Sequence, residues 1–513
     1  MRRSFKPAAS FFEKIALGAV GAEAVKALLN DRGHLFVELE NGALDTKIWK
    51  DVKRKRVRIP DLVCLRCGRR LESRAKTKPE ISMSHSIDDA ERDWGFGMIP
   101  EDWVAFPVCQ KVVDFTWSEG RLAARTSRWR EQAWAVWDVQ GAVNIFSVEA
   151  LRSKKWVLKE RKGVTEGSET QVFWPAVFAS SDRRVADVTA DYILFARGQG
   201  QRPPRARLKR RDGTLLPAVS AKQECKVNQV LAATVAPVSD GQLVCRSKAP
   251  LDAQRVLAML ESPERTCRYT GCRVAKRNNV AVLEEPVKLR ATETAEDLYV
   301  RLEARSYLVG TLGADAREWF EPLLDSEADD QDRLECIITL ADTRGESAYG
   351  VLATTLADAD QPLPLRSAAA WAMGRRSDSG ASEALTAAFA DVEPALRDEA
   401  LAALVNLGED AAPALVAGFK SKSGEIVAGS AEALRQIRDV PLEEIVHAAE
   451  SGPAREWAVW LLGNLPRHVV EPHIAGWQDR DPELHFAMSV LWSFLDSWVA
   501  RHWQPILEPP AEA

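Results

Sequence analysis

Three hydrophobic periods follow one another along the chain. The run FFEKIALGAVGAEAVKALLN (11–30) places Phe12, Ile15, Val20, Ala24 and Leu28 at a helical spacing, and Gly33 closes it as a C-cap glycine does. Then HLFVELE (34–40), RIPDLVCLRC (58–67), RRLESRAK (69–76) and DWVAFPVC (102–109) alternate as strands do, with Gly68 at the turn between the middle two. The stretch SIDDAERDWG (86–95) predicts a short helix, which makes the order α-β-β-β-α-β over residues 1–115. Residues 116–250 carry further short alternating runs (KKWVLKE, TQVFWPAVFA, DYILFAR) separated by the turn signals RDGT and SDGQ, and predict a β-rich domain. Residues 251–294 predict a helical connector.

From residue 295 the pattern becomes periodic on a longer scale. LRSAAAWAMG at Leu365, LRDEALAALV at Leu396 and IVAGSAEALR at Ile426 share small residues at their fifth and eighth positions. Weaker copies begin at Val300, Asp332, Ala454 and Glu483, so the anchors lie 32, 33, 31, 30, 28 and 29 residues apart. Such a period, with alanines at i and i+3, predicts helix pairs packed closely through small side chains. The pattern resembles the short HEAT-like repeat, of the type also seen in phycobilisome lyases. The resemblance covers residues 295–505, implies an α-solenoid used for binding, and leaves 506–513 as a tail.

Charge divides the chain in two. Residues 1–250 hold 44 Lys and Arg against 30 Asp and Glu, whereas residues 251–513 hold 25 against 44, beneath a net charge of −5. A basic half points to a polyanion such as DNA, and an acidic solenoid points to a protein partner rather than nucleic acid. Lys53, Arg54, Lys55, Arg56 and Arg58 form one basic cluster, and Arg205, Arg207, Lys209, Arg210 and Arg211 lie in a second, a flexible arm suited to phosphate contacts. Tryptophans also stand among cations elsewhere in this half, Trp129 in RTSRWREQ and Trp156 in RSKKWVLKERK; core burial is their commoner use, base stacking the sharper one.

The first 115 residues also resemble the PD-(D/E)xK nuclease superfamily, especially its Holliday-junction-resolvase-like and restriction-endonuclease-like members. The residues that carry the resemblance are GAVGAE with Glu23, Pro60-Asp61, and Glu72 on the partnering strand. It implies a restriction-endonuclease-like α/β domain with Asp61 and Glu72 as ligands of Mg²⁺ or Mn²⁺, Glu23 as an outer contributor, and phosphodiester hydrolysis of DNA in defence or repair. Hard carboxylate oxygens suit Mg²⁺, and the ion would activate water and neutralise developing charge. Arg74 stands where the family has lysine. Arginine does not readily lose a proton, so Arg74 would serve as a fixed cation, and Lys76, two residues on along the same strand face, is the other candidate. The alternative is a non-catalytic scaffold that grips nucleic acid and recruits a partner through its repeats. A chromophore- or protein-directed lyase-like chaperone is a third reading, disfavoured by the basic head.

Eight cysteines in 513 residues are too few for a disulfide framework. With no apolar run of about 18 residues and no signal-peptide pattern, a cytoplasmic protein without a membrane span is expected. Cys64-x-x-Cys67-Gly68 then reads as half of a structural zinc site at the tip of the hairpin. Cys267 and Cys272 are the leading candidates for the other half, with Cys109 and His85 behind them.

Overall fold

The structure is a computed structural model. It describes residues 9–39, 59–77, 82–86, 94–112, 137–140, 143–152, 157–160, 168–172, 185–188, 192–195, 205–207, 237–324, 329–376, 378, 380–437 and 440–493. The chain divides into two compact units, one over Phe5–Trp49 and Lys53–Leu312, the other over Gly313–Ala513.

In the first unit helix α1 (Ala9–Asn30) leads through Gly33, at φ 87°, into β1 (Phe36–Glu38). Strands β2 (Leu62–Cys64) and β3 (Arg70–Ser73) continue an antiparallel meander. The next strand of this sheet, β5 (Trp103–Phe106), runs parallel to β3, and β8 (Asn144–Ser147) closes the order β1-β2-β3-β5-β8. Alternation divides the side chains between two cores. Leu62, Cys64, Leu71, Trp103, Ala105 and Ile145 meet Val25 and Leu29 of α1 on one face. On the other, Val104, Phe106 and Phe146 meet Trp94, Met98, Val148 and Leu151. Of the segment expected to be a helix at 86–95, Ser86 ends strand β4 (Ser82–Ser86) and residues 87–93 lie outside the described residues.

Strand β4 does not join this sheet. It pairs with β10 (Ser168–Val172) in a six-stranded sheet that also holds β9 (Val157–Glu160), β11 (Val185–Val188), β12 (Tyr192–Phe195) and β13 (Arg205–Arg207). A two-stranded ribbon of β6 (Cys109–Lys111) and β7 (Trp137–Val139) is separate.

Helices follow from residue 253. The lengths of α3 (Ala253–Leu260), α4 (Arg265–Arg277), α5 (Glu284–Thr292) and α6 (Leu298–Leu312) complete the first unit, after the short α2 (Val148–Arg152). The buried pair Arg70–Asp102, at 2.5 Å, fixes α4 to the sheet, because Arg70 also donates to Thr266 Oγ1 of that helix at 3.0 Å.

The second unit is a run of helix pairs. One row is α8 (Asp330–Leu340), α10 (Leu363–Met373), α12 (Pro394–Leu407), α14 (Gly424–Gln436) and α16 (Arg455–Asn464); between them come α7 (Ala316–Leu324), α9 (Glu346–Ala357), α11 (Ala381–Ala387), α13 (Ala412–Gly418) and α15 (Leu442–Ser451). The small residues that set the period are the buried ones: Ala369, Ala372, Ala400, Ala403, Ser430 and Ala433. A Cβ added to Gly374 would lie 2.6 Å from Ala403, so successive helices touch through atoms that larger side chains would displace. An aspartate recurs in the turns and accepts the backbone N–H two residues on: Asp329 from Gln331, Asp358 from Asp360 and Asp391 from Glu393. Arginines then tie one pair to the next, Arg333 to Gln361 at 2.5 Å and Arg366 to Asp391.

Candidate functional site

Strands β2 and β3 carry the chemistry expected of the first unit. Leu62 pairs with Leu71, so one step outward in the same register Asp61 stands opposite Glu72. The Asp61 carboxylate accepts the Ser73 backbone N–H at 2.8 Å, which makes it a strand-end cap as it stands. Glu72 pairs with Arg74 at 2.9 Å. Both side chains keep about a fifth of their surface exposed, so this pair is only partly desolvated. Lys76 donates its backbone N–H to Pro107 and accepts that of Cys109. Glu23 pairs with Lys26 one helical turn along α1 at 2.6 Å. The three carboxylates of Glu23, Asp61 and Glu72 do not come together: the one group of three or more metal-type ligands within 4.8 Å of one another, among the described residues, lies elsewhere.

The two glycines of GAVGAE do different work. A Cβ on Gly21 would lie 2.7 Å from the Cβ of Ala75 and 2.9 Å from Pro107, so α1 approaches the end of β3 through that glycine. Gly18 has open space around it.

The ligand group consists of His34, Cys64, Cys67 and Cys245. His34 follows the Gly33 turn after α1, Cys64 ends β2, Cys67 lies in the β2–β3 turn, and Cys245 arrives with the segment that leads to α3. Backbone hydrogen bonds hold these pieces in place: Cys245 N–H to the Arg32 carbonyl at 3.0 Å, Leu65 N–H to Leu35 at 2.9 Å, and Leu251 N–H to Leu65 at 2.9 Å. Gly33 and Gly68 both have positive φ, and a Cβ on Gly33 would lie 2.6 Å from the Cys245 carbonyl oxygen. The Cys64 thiol is held well below the usual thiol range, first by its hydrogen bond with Cys67, then by those with His34 and the Leu35 N–H, against the opposing effect of burial. Cys67, as the donor of that first bond, is pushed upward.

Cys267 and Cys272, expected to complete the zinc site, are not in this group. Both lie on α4, five residues apart and therefore on different sides of the helix, and burial raises both thiols. Cys109 is buried in the β6–β7 ribbon and is also outside it. His85 lies on β4, where only the backbone is described. His34 and Cys245 escaped the sequence reading because neither has ligand spacing from Cys64-x-x-Cys67; the local cue is His34 directly after a C-cap glycine. Of the basic clusters, Arg205 and Arg207 fall on β13 with only their backbone described. Lys53, Arg54, Lys55, Arg56, Arg58, Lys209, Arg210 and Arg211 lie outside the described residues.

Residues 351–435 match the family model of HEAT repeats. No curated protein matches the chain. Among solved structures, human deoxyhypusine hydroxylase in complex with glycerol is similar at 20% identity, over 41% of this chain and 82% of that one, with a TM-score of 0.19. A computationally designed armadillo repeat protein for modular peptide recognition is similar at 17% identity, over 43% and 96%, with a TM-score of 0.21. A designed armadillo repeat protein in complex with the peptide (KR)4 is similar at 15% identity, over 47% and 99%, with a TM-score of 0.17. The helix pairs within residues 351–435 therefore resemble HEAT repeats by their match to the family model.

Proposed function

We propose that the protein is a repeat-built interaction scaffold whose helical array takes a basic segment of a protein partner. The observation that carries this reading is the charge of the array: residues 313–513 hold 35 acidic groups against 15 basic ones. Exposed acids recur at or just before the N-termini of alternate helices, Asp330, Asp360, Glu393 and Glu425, about one to a repeat. Acids there also answer the helix dipole, which explains their favour without a ligand. A run of the same sign over one repeat after another additionally draws a partner of opposite charge. The test measures binding of an Arg/Lys-rich peptide and a neutral peptide of equal length to the full chain. The basic peptide binds more tightly, its affinity falls as salt rises, and the joint substitution D330K/D360K/E393K/E425K weakens it at least tenfold with helicity unchanged. Equal binding of the two peptides overturns the reading.

The second reading gives the first unit a metal-dependent nuclease activity on DNA. It is favoured by the antiparallel β1–β2–β3 meander followed by the parallel β5, and by Asp61, one residue before β2, standing opposite Glu72 of the central strand β3. Mg²⁺ or Mn²⁺ held by these two carboxylates would supply a Lewis acid and an activated water. For that, Asp61 would exchange the Ser73 N–H for the ion, and Glu72 would share its charge between the ion and Arg74. The Arg74 guanidinium would offset charge that develops on phosphate. Supercoiled plasmid incubated with Mg²⁺ or Mn²⁺ is nicked by the wild type and not by Asp61→Ala; equal nicking by the two rules the activity out.

A further inference from the structure

We propose that His34, Cys64, Cys67 and Cys245 form a closed, structural zinc site that clamps the segment before α3 onto the edge of the β1–β2–β3 meander. Three soft thiolates and one imidazole are a donor set that selects zinc over hard cations, and four protein ligands leave no open position for catalysis.

Distances carry the argument. A tetrahedral zinc with its usual bond lengths sets imidazole nitrogen and thiolate sulfur about 3.5 Å apart, and two sulfurs about 3.8 Å apart. His34 Nδ1 lies 3.4 Å from Cys64 Sγ and 3.5 Å from Cys67 Sγ, and all four ligand atoms fall within 4.8 Å of one another. The imidazole is oriented for the task. Its Nε2 lies 3.2 Å from the Leu243 carbonyl oxygen, which accepts only, so Nε2 carries the proton and Nδ1 keeps its lone pair toward the sulfurs. His34 is itself buried and held between Phe36 and Trp103 at ring distances of 5.1 and 5.8 Å.

The surroundings answer the net negative charge of a tris-thiolate zinc centre. The Leu35 N–H donates to Cys64 Sγ at 3.4 Å. Arg255 donates to the Cys67 carbonyl at 3.1 Å and Arg66 to the Gly33 carbonyl at 2.7 Å, which brings two cations to the ligand loops. The Gly68 N–H to Cys64 carbonyl bond of 2.8 Å tightens the Cys-x-x-Cys turn, and Gly68 supplies the positive φ that it requires. Cys245 lies 178 residues beyond Cys67, so the ion would close a long loop and stabilise the unit by a large restriction of its unfolded chain.

The test is elemental analysis of the full chain after purification without chelator or affinity metal. One zinc per chain is expected. Cobalt exchanged into the wild type gives the intense visible bands of a tetrahedral thiolate-rich site. Cys245→Ser and His34→Ala lose most of the zinc, Cys245→His retains it, and the double variant Cys267→Ser/Cys272→Ser keeps the wild-type content. The wild-type cobalt spectrum and the Cys245→His variant decide the matter independently of how well Cys245→Ser folds. A wild-type chain without zinc that also takes up no cobalt, a Cys64–Cys67 disulfide found by mass spectrometry in freshly isolated protein, or loss of zinc in the Cys267/Cys272 variant overturns the proposal.

Discussion

The guanidinium of Arg70 and the carboxylate of Asp102 are each about 2% exposed, and the two form a forked pair inside the first unit. Asp102 also accepts the Ile99 N–H at 2.8 Å, and Arg70 reaches Thr266 and the Gly97 carbonyl, so no strong donor is left to water. Arg70 sits two residues before Glu72 on β3 and therefore sets that strand against α4. Removing one partner leaves a buried charge alone, which costs about 3–5 kcal/mol. Asp102→Ala is expected to lower unfolding free energy in urea by that amount, whereas Arg70→Met/Asp102→Leu loses much less; equal losses would mean that the pair itself stabilises the fold. The sequence shows Arg70 and Asp102 only as two charges inside strand-like runs. Nothing in their spacing tells that they are buried together, because the parallel pairing of β3 with β5 brings them within reach.

At the scale of elements, α1 and the repeats show how far glycine and alanine positions can be read from a sequence. The helical period of α1 and the GAVGAE run are visible, but not which glycine the packing requires. Gly21→Ala forces a Cβ into Ala75 and Pro107 and is expected to destabilise by about 1–3 kcal/mol. Gly18→Ala meets nothing and is expected to stabilise by up to about 1 kcal/mol through helix propensity. Thermal unfolding of the two variants reads the opposite signs, and like signs would contradict the docking of α1 described above. In the repeats the same small residues are legible in advance, since a period of about 30 residues repeats the contact several times over. Strand β4 is the reverse case. Its position between β3 and β5 in the chain implies the same sheet, yet it pairs with β10, a choice fixed by hydrogen-bond partners more than 80 residues away. The zinc-type cluster is intermediate: Cys64-x-x-Cys67 announces half a site, and the other half depends on where residues 34 and 245 meet in the fold.

For the whole molecule, the repeat period and the compact units divide the chain at different places. The periodic pattern starts with the copy at Val300, inside α6, whereas the units divide at Gly313. Physical reasons bind α6 to the first unit. Glu303, about 1% exposed, accepts from Lys276 at 2.6 Å and Arg273 at 3.3 Å, both on α4. Tyr307 donates to the Val280 carbonyl at 2.6 Å, and burial pushes its phenol up to about 12. A chain ended at residue 294 would strip Arg273 and Lys276 of the buried Glu303 carboxylate and uncover the face of α4 that these two residues share. A chain ended at Leu312 keeps all of these. The fragment ending at Leu312 is therefore expected to unfold in one cooperative transition, close in temperature to one seen in the full chain. The fragment ending at 294 is expected to bind a hydrophobic dye, exchange its α4 amides quickly and lose at least about 3 kcal/mol of stability, the cost of an uncompensated buried charge. Both retain His34, Cys64, Cys67 and Cys245, so zinc content serves as an internal control. Equal stability of the two fragments would place α6 with the repeats that follow it and leave the first unit complete without it.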